Sequence, residues 1–375
     1  TVRSLLDDIV RRQLVADVPR CTLLSGGLDS SAMTALAARQ LAEHGEKVRS
    51  FAVDFVGHEE HFVADELRAT PDAPFVHDVA RACGTQHQDI VLDVAALADL
   101  DVRAKMIRAR DLPVGFGEMD VSLYLLFRAI REHSTVALSG ESADEVFGGY
   151  LQFFDEDARR GDTFPWLVRM DDTFGSDADV VRPALSEALD LKGYIADSYR
   201  DAVKGVHRLD GESDFEFRMR TICHLHLTRF VRVLLDRKDR ASMAVGLEVR
   251  VPFCDHRLVE YVYNAPWSLK SFDGREKSLL REASADLIPR SVYDRVKSPY
   301  PSTQDPQYAV AIQDHVKDIL ARPSHPVFDL LDREKVHQAA YRDTPQATQA
   351  ARHGLERTLD LTLWLDLYKP DVSLT

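Results

Sequence analysis

The sequence predicts an α/β protein: a parallel sheet flanked by helices, followed by a mainly helical C-terminal half. Three observations carry this expectation. Short β-rich runs alternate with helix-patterned segments from the N-terminus to Leu138, the pattern of strands joined by right-handed crossovers. Two of those runs end in Gly-rich turns that hold carboxylates and lead straight into helices. Beyond Tyr150 the alternation stops, and residues from about Ser186 onward read mainly helical.

In chain order, Val2 to Leu14 has Leu5, Leu6, Ile9, Val10 and Leu14 at helical intervals and is predicted to be an amphipathic helix. The apolar run Val18 to Leu24 is a buried strand. Ala32 to Gly45 is a helix, with Gly45 as its stop. Val48 to Phe55 is a second strand and Gln86 to Leu92 a third. Between them Glu59 to Arg68 and Ala73 to Cys83 read as helices, the latter ending at Gly84. Val121 to Glu132 is a helix and Val136 to Leu138 a short strand. Asp155 to Asp214 is acidic and poorly periodic, interrupted by Gly161, Gly175 and Pro183, and a domain transition is expected within Leu151–Asp179.

The bulk properties narrow the class. With 375 residues and a 45% apolar share, the chain can bury a full core. A net charge of −14 argues against general attraction to nucleic acid or membranes, so a polyanionic ligand needs a local basic site or a metal. The four cysteines, Cys21, Cys83, Cys223 and Cys254, form no C-x-x-C pair, which argues against a zinc cluster or disulfide framework and for a reducing, cytoplasmic setting. No signal peptide, membrane-length apolar run or internal repeat is apparent.

The first turn, Leu23-Leu24-Ser25-Gly26-Gly27-Leu28-Asp29-Ser30-Ser31, has the makings of an anion site. Its glycines let backbone N–H groups approach an oxyanion, and Ser30 and Ser31 fall in a helix first turn whose N–H groups are unpaired. Asp29 is out of place for direct phosphate contact but suits a hard cation such as Mg²⁺ bridging to phosphate. No lysine lies in the turn and the glycines are adjacent, so it is neither a Walker loop nor G-x-G-x-x-G. The plainer reading is an ordinary strand–turn–helix corner.

The second turn, Ser139-Gly140-Glu141-Ser142-Ala143-Asp144-Glu145, is followed by Val146-Phe147-Gly148-Gly149-Tyr150. Acidic residues are favourable at a helix start in any case. Here, however, Asp144 stands at a strand end as Asp29 does, and the two can share one Mg²⁺ on a triphosphate. Farther on, Arg237-Lys238-Asp239-Arg240 reads first as a solvated charge run. Lys277 precedes the Ser278 to Leu287 helix, where an anion would offset its unfavourable place at the dipole, and Lys297 lies in a Pro-bounded loop. Lysines brought to a phosphate-rich pocket stabilise charge on a transferred or leaving group. His224 and His226 make a poor metal pair, and Trp166, Trp267 and Trp364 read as packing.

Ser25–Ser31 resembles the S-G-G-x-D-S pyrophosphate loop of the ATP pyrophosphatases (the PP-loop, adenine nucleotide α-hydrolase-like fold). The second turn, Leu138 to Tyr150, resembles the L-S-G-E-G-x-D-E-x-F-G-G-Y motif of the synthetase domain of glutamine-dependent asparagine synthetases. Asp239-Arg240-Ala241-Ser242-Met243-Ala244, Leu247 to Asp255, Lys277-Ser278-Leu279-Leu280-Arg281-Glu282 and Arg295-Val296-Lys297 are similar to that family's later motifs, in order. The resemblance covers nearly the whole chain. It implies residues 1–160 as the ATP-pyrophosphatase core and 161–375 as a mainly helical part completing the site.

The resemblance also implies roles. Leu24 and Val53 would flank adenine; Ser25, Gly27, Ser30 and Ser31 would hold pyrophosphate; Asp29 and Asp144 would bind Mg²⁺. Ser139 and Gly140 would touch the nucleotide, Glu141 would assist proton removal from ammonia, Lys277 would contact phosphates, and Lys297 would stabilise the acyl-adenylate step. The family's amino-acid pocket would fall at Glu118–Ser122. The implied activity is ATP-dependent conversion of aspartate, or a related small carboxylic acid, to its amide through a β-aspartyl-AMP intermediate. Rival readings are a ring-closing relative, such as a β-lactam synthetase or lasso-peptide cyclase, and a non-catalytic nucleotide-binding partner. Glu141 stands where the β-lactam synthetases carry Tyr, which favours attack by ammonia. Ser142 replaces the family's frequent Gly, so a helical or β conformation is expected there. The chain begins at Thr1, one helix before the first turn, and Cys21 lies in a predicted core strand. The family's glutaminase domain is therefore expected to be absent, with ammonia used directly or supplied by a glutaminase domain or subunit.

Overall fold

The computed structural model describes residues 1–65, 68–112, 115–168, 180–342 and 349–372. Its five parallel strands are β1 (Arg20–Leu23), β2 (Arg49–Phe55), β3 (Gln86–Leu92), β4 (Val136–Leu138) and β5 (Glu248–Arg250), in the order β3-β2-β1-β4-β5. Cys21 is level with both Arg49 of β2 and Ala137 of β4, so β1 is the centre of the sheet. The chain moves outward one way through β2 and β3 and the other way from β4 to β5. The reversal between β1 and β4 opens a crevice at their carboxyl ends.

Both faces of the sheet are covered, as parallel sheets require. Side-chain alternation sends Cys21, Phe51, Phe55 and Ala137 to one core, and Ala52, Val136 and Leu138 to the other. The second core is closed by helix α1 (Val2–Gln13), helix α2 (Leu28–Ala42) and the Ala73–Cys83 helix, whose Val76 and Val79 are fully packed. The first is shared by the Leu100–Arg110 and Glu118–Arg131 helices with the C-terminal Pro306–Leu320 and Gln349–Tyr368 helices. A buried polar network runs through it: Arg103 donates to Asp360 at 2.5 Å and to Tyr308 at 2.9 Å, and the Tyr308 hydroxyl donates to Glu356 at 2.7 Å.

The first four strands fall where periodicity places them, within two residues at either end. Three expectations need correction. Of Glu59–Arg68, only His58–His61 forms a turn of helix and Phe62–Asp65 does not, while residues 66–67 lie outside the described residues. The Glu60 and His61 amides share one carbonyl there, that of Gly57, and a single turn carries the cost of nucleation without the gain of propagation. Ser142 is left-handed (φ 73°, ψ −6°), not helical or β. The turn demands the conformation that Gly adopts freely. Serine meets it at a cost of roughly 1–3 kcal/mol, with its hydroxyl accepting a hydrogen bond from the Cys254 thiol at 3.0 Å. β5 interrupts the helical half unannounced, because three residues are too few to show a period. Of the Leu151–Asp179 transition, residues 169–179 lie outside the described residues.

Candidate active site

The two acidic turns meet. Leu24 extends β1 by donating to the Phe51 carbonyl at 2.8 Å, and the chain then turns through Gly26 (φ 68°) into α2. The Ser25 amide and hydroxyl both reach the Ser30 hydroxyl, at 3.1 and 3.0 Å, and Ser30 donates to the Gly27 carbonyl at 3.2 Å. This locks the turn around its own N–H groups. On the β4 side, a Cβ on Gly140 would lie 2.7 Å from the Ser30 nitrogen, closer than any side chain can stand. Only glycine there lets the second turn lie against the first.

Where the turns meet, Lys277 lies between their carboxylates, its Nζ 2.7 Å from both Asp29 Oδ2 and Asp144 Oδ1. Lys297 donates to the other Asp144 oxygen at 2.6 Å, with its ammonium 5.2 Å from the centre of the Tyr150 ring. Lys277 is 2% exposed, in left-handed backbone (φ 53°) before the Ser278–Ser284 helix. Its charge there is answered by carboxylates.

Electrostatics separate the two acids. Burial favours the neutral form of both. For Asp144 the two ammonium groups outweigh it and hold the carboxyl well below the usual range. For Asp29 burial prevails and its pKa is raised: it bonds Lys277 and feels Lys297 at longer range, but the neighbouring Asp144 charge works against both. Burial, then Asp144 and Glu141, push Glu145 up to about 8, where it accepts from the Tyr150 hydroxyl at 2.6 Å. Burial tends to neutralise Lys277, but Asp144 and Asp29 reverse this and raise its pKa. Asp29 Oδ1 is buried with no hydrogen-bond partner among the described residues. An orphan carboxylate oxygen beside a second carboxylate fits a hard divalent cation.

Leu24, Ser25, Gly27, Asp29, Ser30, Val53, Ser139, Gly140, Glu141, Asp144, Lys277 and Lys297 all line one cavity over the β1–β4 crevice. Ser31 does not: its side chain is fully buried behind the turn, and its amide donates to the Gly27 carbonyl at 3.0 Å as part of α2. Ser30 is the hydroxyl that faces the cavity. None of Glu118–Ser122 lines it either, although the Ser122 hydroxyl meets that of the lining Tyr300 at 3.3 Å.

Four charged lining residues, Asp72, Lys238, Glu276 and Arg295, are not among the predicted site residues. Lys238, read as part of a solvated run, bonds Glu141 at 2.6 Å and Ser139 at 2.9 Å, and its neighbour Arg237 is buried on Asp120. Arg295 pairs with Asp72 at the start of the Ala73–Cys83 helix. The available signal was the position of Asp72 before that helix and of Arg295 two residues before Lys297.

The family model for asparagine synthase matches residues 1–366. Asparagine synthetase [glutamine-hydrolyzing] 3 of Bacillus subtilis is 40% identical over 338 residues, covering 90% of this chain and 54% of that protein. Asparagine synthetase B [glutamine-hydrolyzing] of Escherichia coli is 27% identical over 80% of this chain and 44% of its own length. The Mesocricetus auratus enzyme is 27% identical over 80% of this chain and 42% of its own. The chain thus spans about half the length of the curated relatives it matches. On the family model and the 40% identity together, the chain belongs to the asparagine synthase family.

Proposed function

We propose that this chain carries out the ATP-dependent, AMP-forming half of asparagine synthesis. The observation that carries the reading is the pairing of Asp29 and Asp144 through Lys277, with Lys297 on the free Asp144 oxygen. Two acidic turns at the β1–β4 reversal and two ammonium groups delivered by the C-terminal half make a site for a metal-bound triphosphate. In this reading residues 1–160 supply the nucleotide turns and 161–375 the lysines.

Leu24 and Val53 border the adenine, and Ser25, Gly27, Ser30 and the N-terminus of α2 receive the pyrophosphate. Ser31 supports that turn from behind. Ser139 and Gly140 bear on the nucleotide from the other side. Asp29 and Asp144 would hold Mg²⁺, which when bound neutralises phosphate charge. Aspartate's β-carboxylate oxygen attacks the α-phosphorus and the bond to the β-phosphate oxygen breaks, giving β-aspartyl-AMP and pyrophosphate. Ammonia then attacks the acyl carbon, a proton leaves toward Glu141, and AMP departs with the acyl oxygen. Lys277 and Lys297 stabilise negative charge developing on the phosphates.

Ammonia is the direct nitrogen donor in this proposal, whether free or delivered by a glutaminase domain or subunit. A cytoplasmic location suits four free cysteines and the lack of any described helix long and apolar enough to cross a membrane. The deciding experiment incubates the chain with aspartate, ammonium, Mg²⁺ and ATP labelled in the α and γ phosphates. Labelled AMP and pyrophosphate are expected; ADP and phosphate would refute the reading.

A further inference from the structure

The edge of the sheet farthest from β5 carries a second cluster of chemical groups, away from the nucleotide cavity. On the outer strand β3, His87 and Asp89 are two residues apart and share a face. The Ala73–Cys83 helix brings His77 to that face. His77 Nε2 lies 2.8 Å from one Asp89 carboxylate oxygen, and His87 Nε2 lies 3.0 Å from the other. One ligand-capable atom from each residue falls within 4.8 Å of the other two, the one such trio among the described residues.

We propose that His77, His87 and Asp89 form a binding site for a zinc-class divalent cation. The donor set selects the metal: two imidazoles and one carboxylate suit Zn²⁺ and its transition-metal neighbours, whereas Mg²⁺ and Ca²⁺ take oxygen. At bonds of 2.0–2.2 Å, tetrahedral ligand atoms stand about 3.3–3.6 Å apart, a spacing within the 4.8 Å that encloses these three atoms. His77 is 48% exposed at its side chain, which leaves a fourth position open to solvent.

A supporting contact lies beneath the cluster. His87 Nδ1 is 2.8 Å from the hydroxyl of Ser50, its register partner on β2, and that hydroxyl is 2.8 Å from the Thr85 hydroxyl. Ser50 is fully buried. Without an ion, Nε2–H donates to the Asp89 carboxylate; with one on Nε2, Nδ1–H would donate to Ser50 and Ser50 to Thr85. This is the anchoring that metal-bound histidines use to fix ring and tautomer. A bound ion would fasten the Ala73–Cys83 helix to the sheet edge, the same helix that brings Asp72 and Val76 to the cavity.

The test titrates Zn²⁺ by calorimetry into the whole chain after chelation, with Co²⁺ absorption as a reporter of tetrahedral nitrogen and oxygen ligation. One ion per chain is expected. His77→Asn and His87→Asn should abolish that binding while keeping the wild-type circular dichroism, and Ser50→Ala should weaken it by about 10–100-fold. Failure of the natively folded wild-type chain to bind, or unchanged affinity in both histidine variants, overturns the proposal. Catalysis is not among the readouts, so the outcome is independent of the amide chemistry proposed above.

Discussion

Lys277 is the residue on which the site's geometry turns. Replacing it with methionine keeps most of the side chain's bulk but leaves two largely buried carboxylates facing each other. Breaking such a pair costs about 3–5 kcal/mol, so Lys277→Met should lower the midpoint of urea unfolding substantially. Millimolar Mg²⁺ should recover part of that loss in the variant, a recovery that Asp29→Asn should remove. A second residue-scale effect concerns pH. Burial, opposed by Arg352, pushes Glu118 up to about 7, and burial, opposed by Arg103, pushes Asp360 up to about 6. Glu145, at about 8, lies in the same direction. These groups retain protons in the folded chain that the unfolded chain releases near 4.5 or 3.8. The folded state binds more protons, so stability falls as pH rises from about 4 to about 8. Asp144 has the opposite sign, but its window lies below the ordinary carboxylate range. Urea midpoints should be higher at pH 5.5 than at pH 8, with a shallower slope in Glu118→Gln. Asp29, Asp144 and Lys277 were legible because their local motifs are long, and Lys297 because its short motif follows them in order. Lys238 stayed hidden because a helix buries one face of a charge run, and a four-residue run cannot say which.

At the scale of the element, the two strand-end turns work as one unit because Gly140 and Ser30 touch through backbone. Gly140→Ala would put a methyl 2.7 Å from the Ser30 nitrogen and 2.9 Å from the Asp29 carbonyl carbon. Neither atom can rotate away, so the turns must part. Pyrophosphate release should fall by about 100-fold or more, the scale on which a misplacement of 1 Å is felt, while far-ultraviolet circular dichroism stays unchanged. Both turns were legible from sequence, since each joins a β-rich run to a helical period through glycine. The Leu100–Arg110 helix was not singled out: its buried face includes Arg103 and Arg110, whose charges break the apolar stripe that marks a helix. β5 is three residues long and completes the sheet only by pairing with β4, a tertiary fact that no local pattern contains.

At the scale of the whole molecule, one apolar core joins the sheet to a helix far later in the chain, Phe51 and Phe127 clustering with Leu359 and Leu365. Leu359 is 2% exposed, and Leu359→Ala should cost about 2–5 kcal/mol. Because that core backs the strands bearing the site, unfolding followed by tryptophan fluorescence and by loss of nucleotide binding should move together in the variant. The sequence showed the alternation that builds the sheet but not this joint burial, because contacts between distant segments leave no periodic trace in either one. The charge of the cavity has a consequence of its own. Its walls carry five carboxyl groups, Asp29, Asp72, Glu141, Asp144 and Glu276, against four cationic ones, Lys238, Lys277, Arg295 and Lys297. On the proposed reading, a triphosphate arriving bare would find no positive surplus to welcome it. Nucleotide and divalent ion must then travel as a couple, and the occupancy of the enzyme would follow the cell's free magnesium as closely as its ATP.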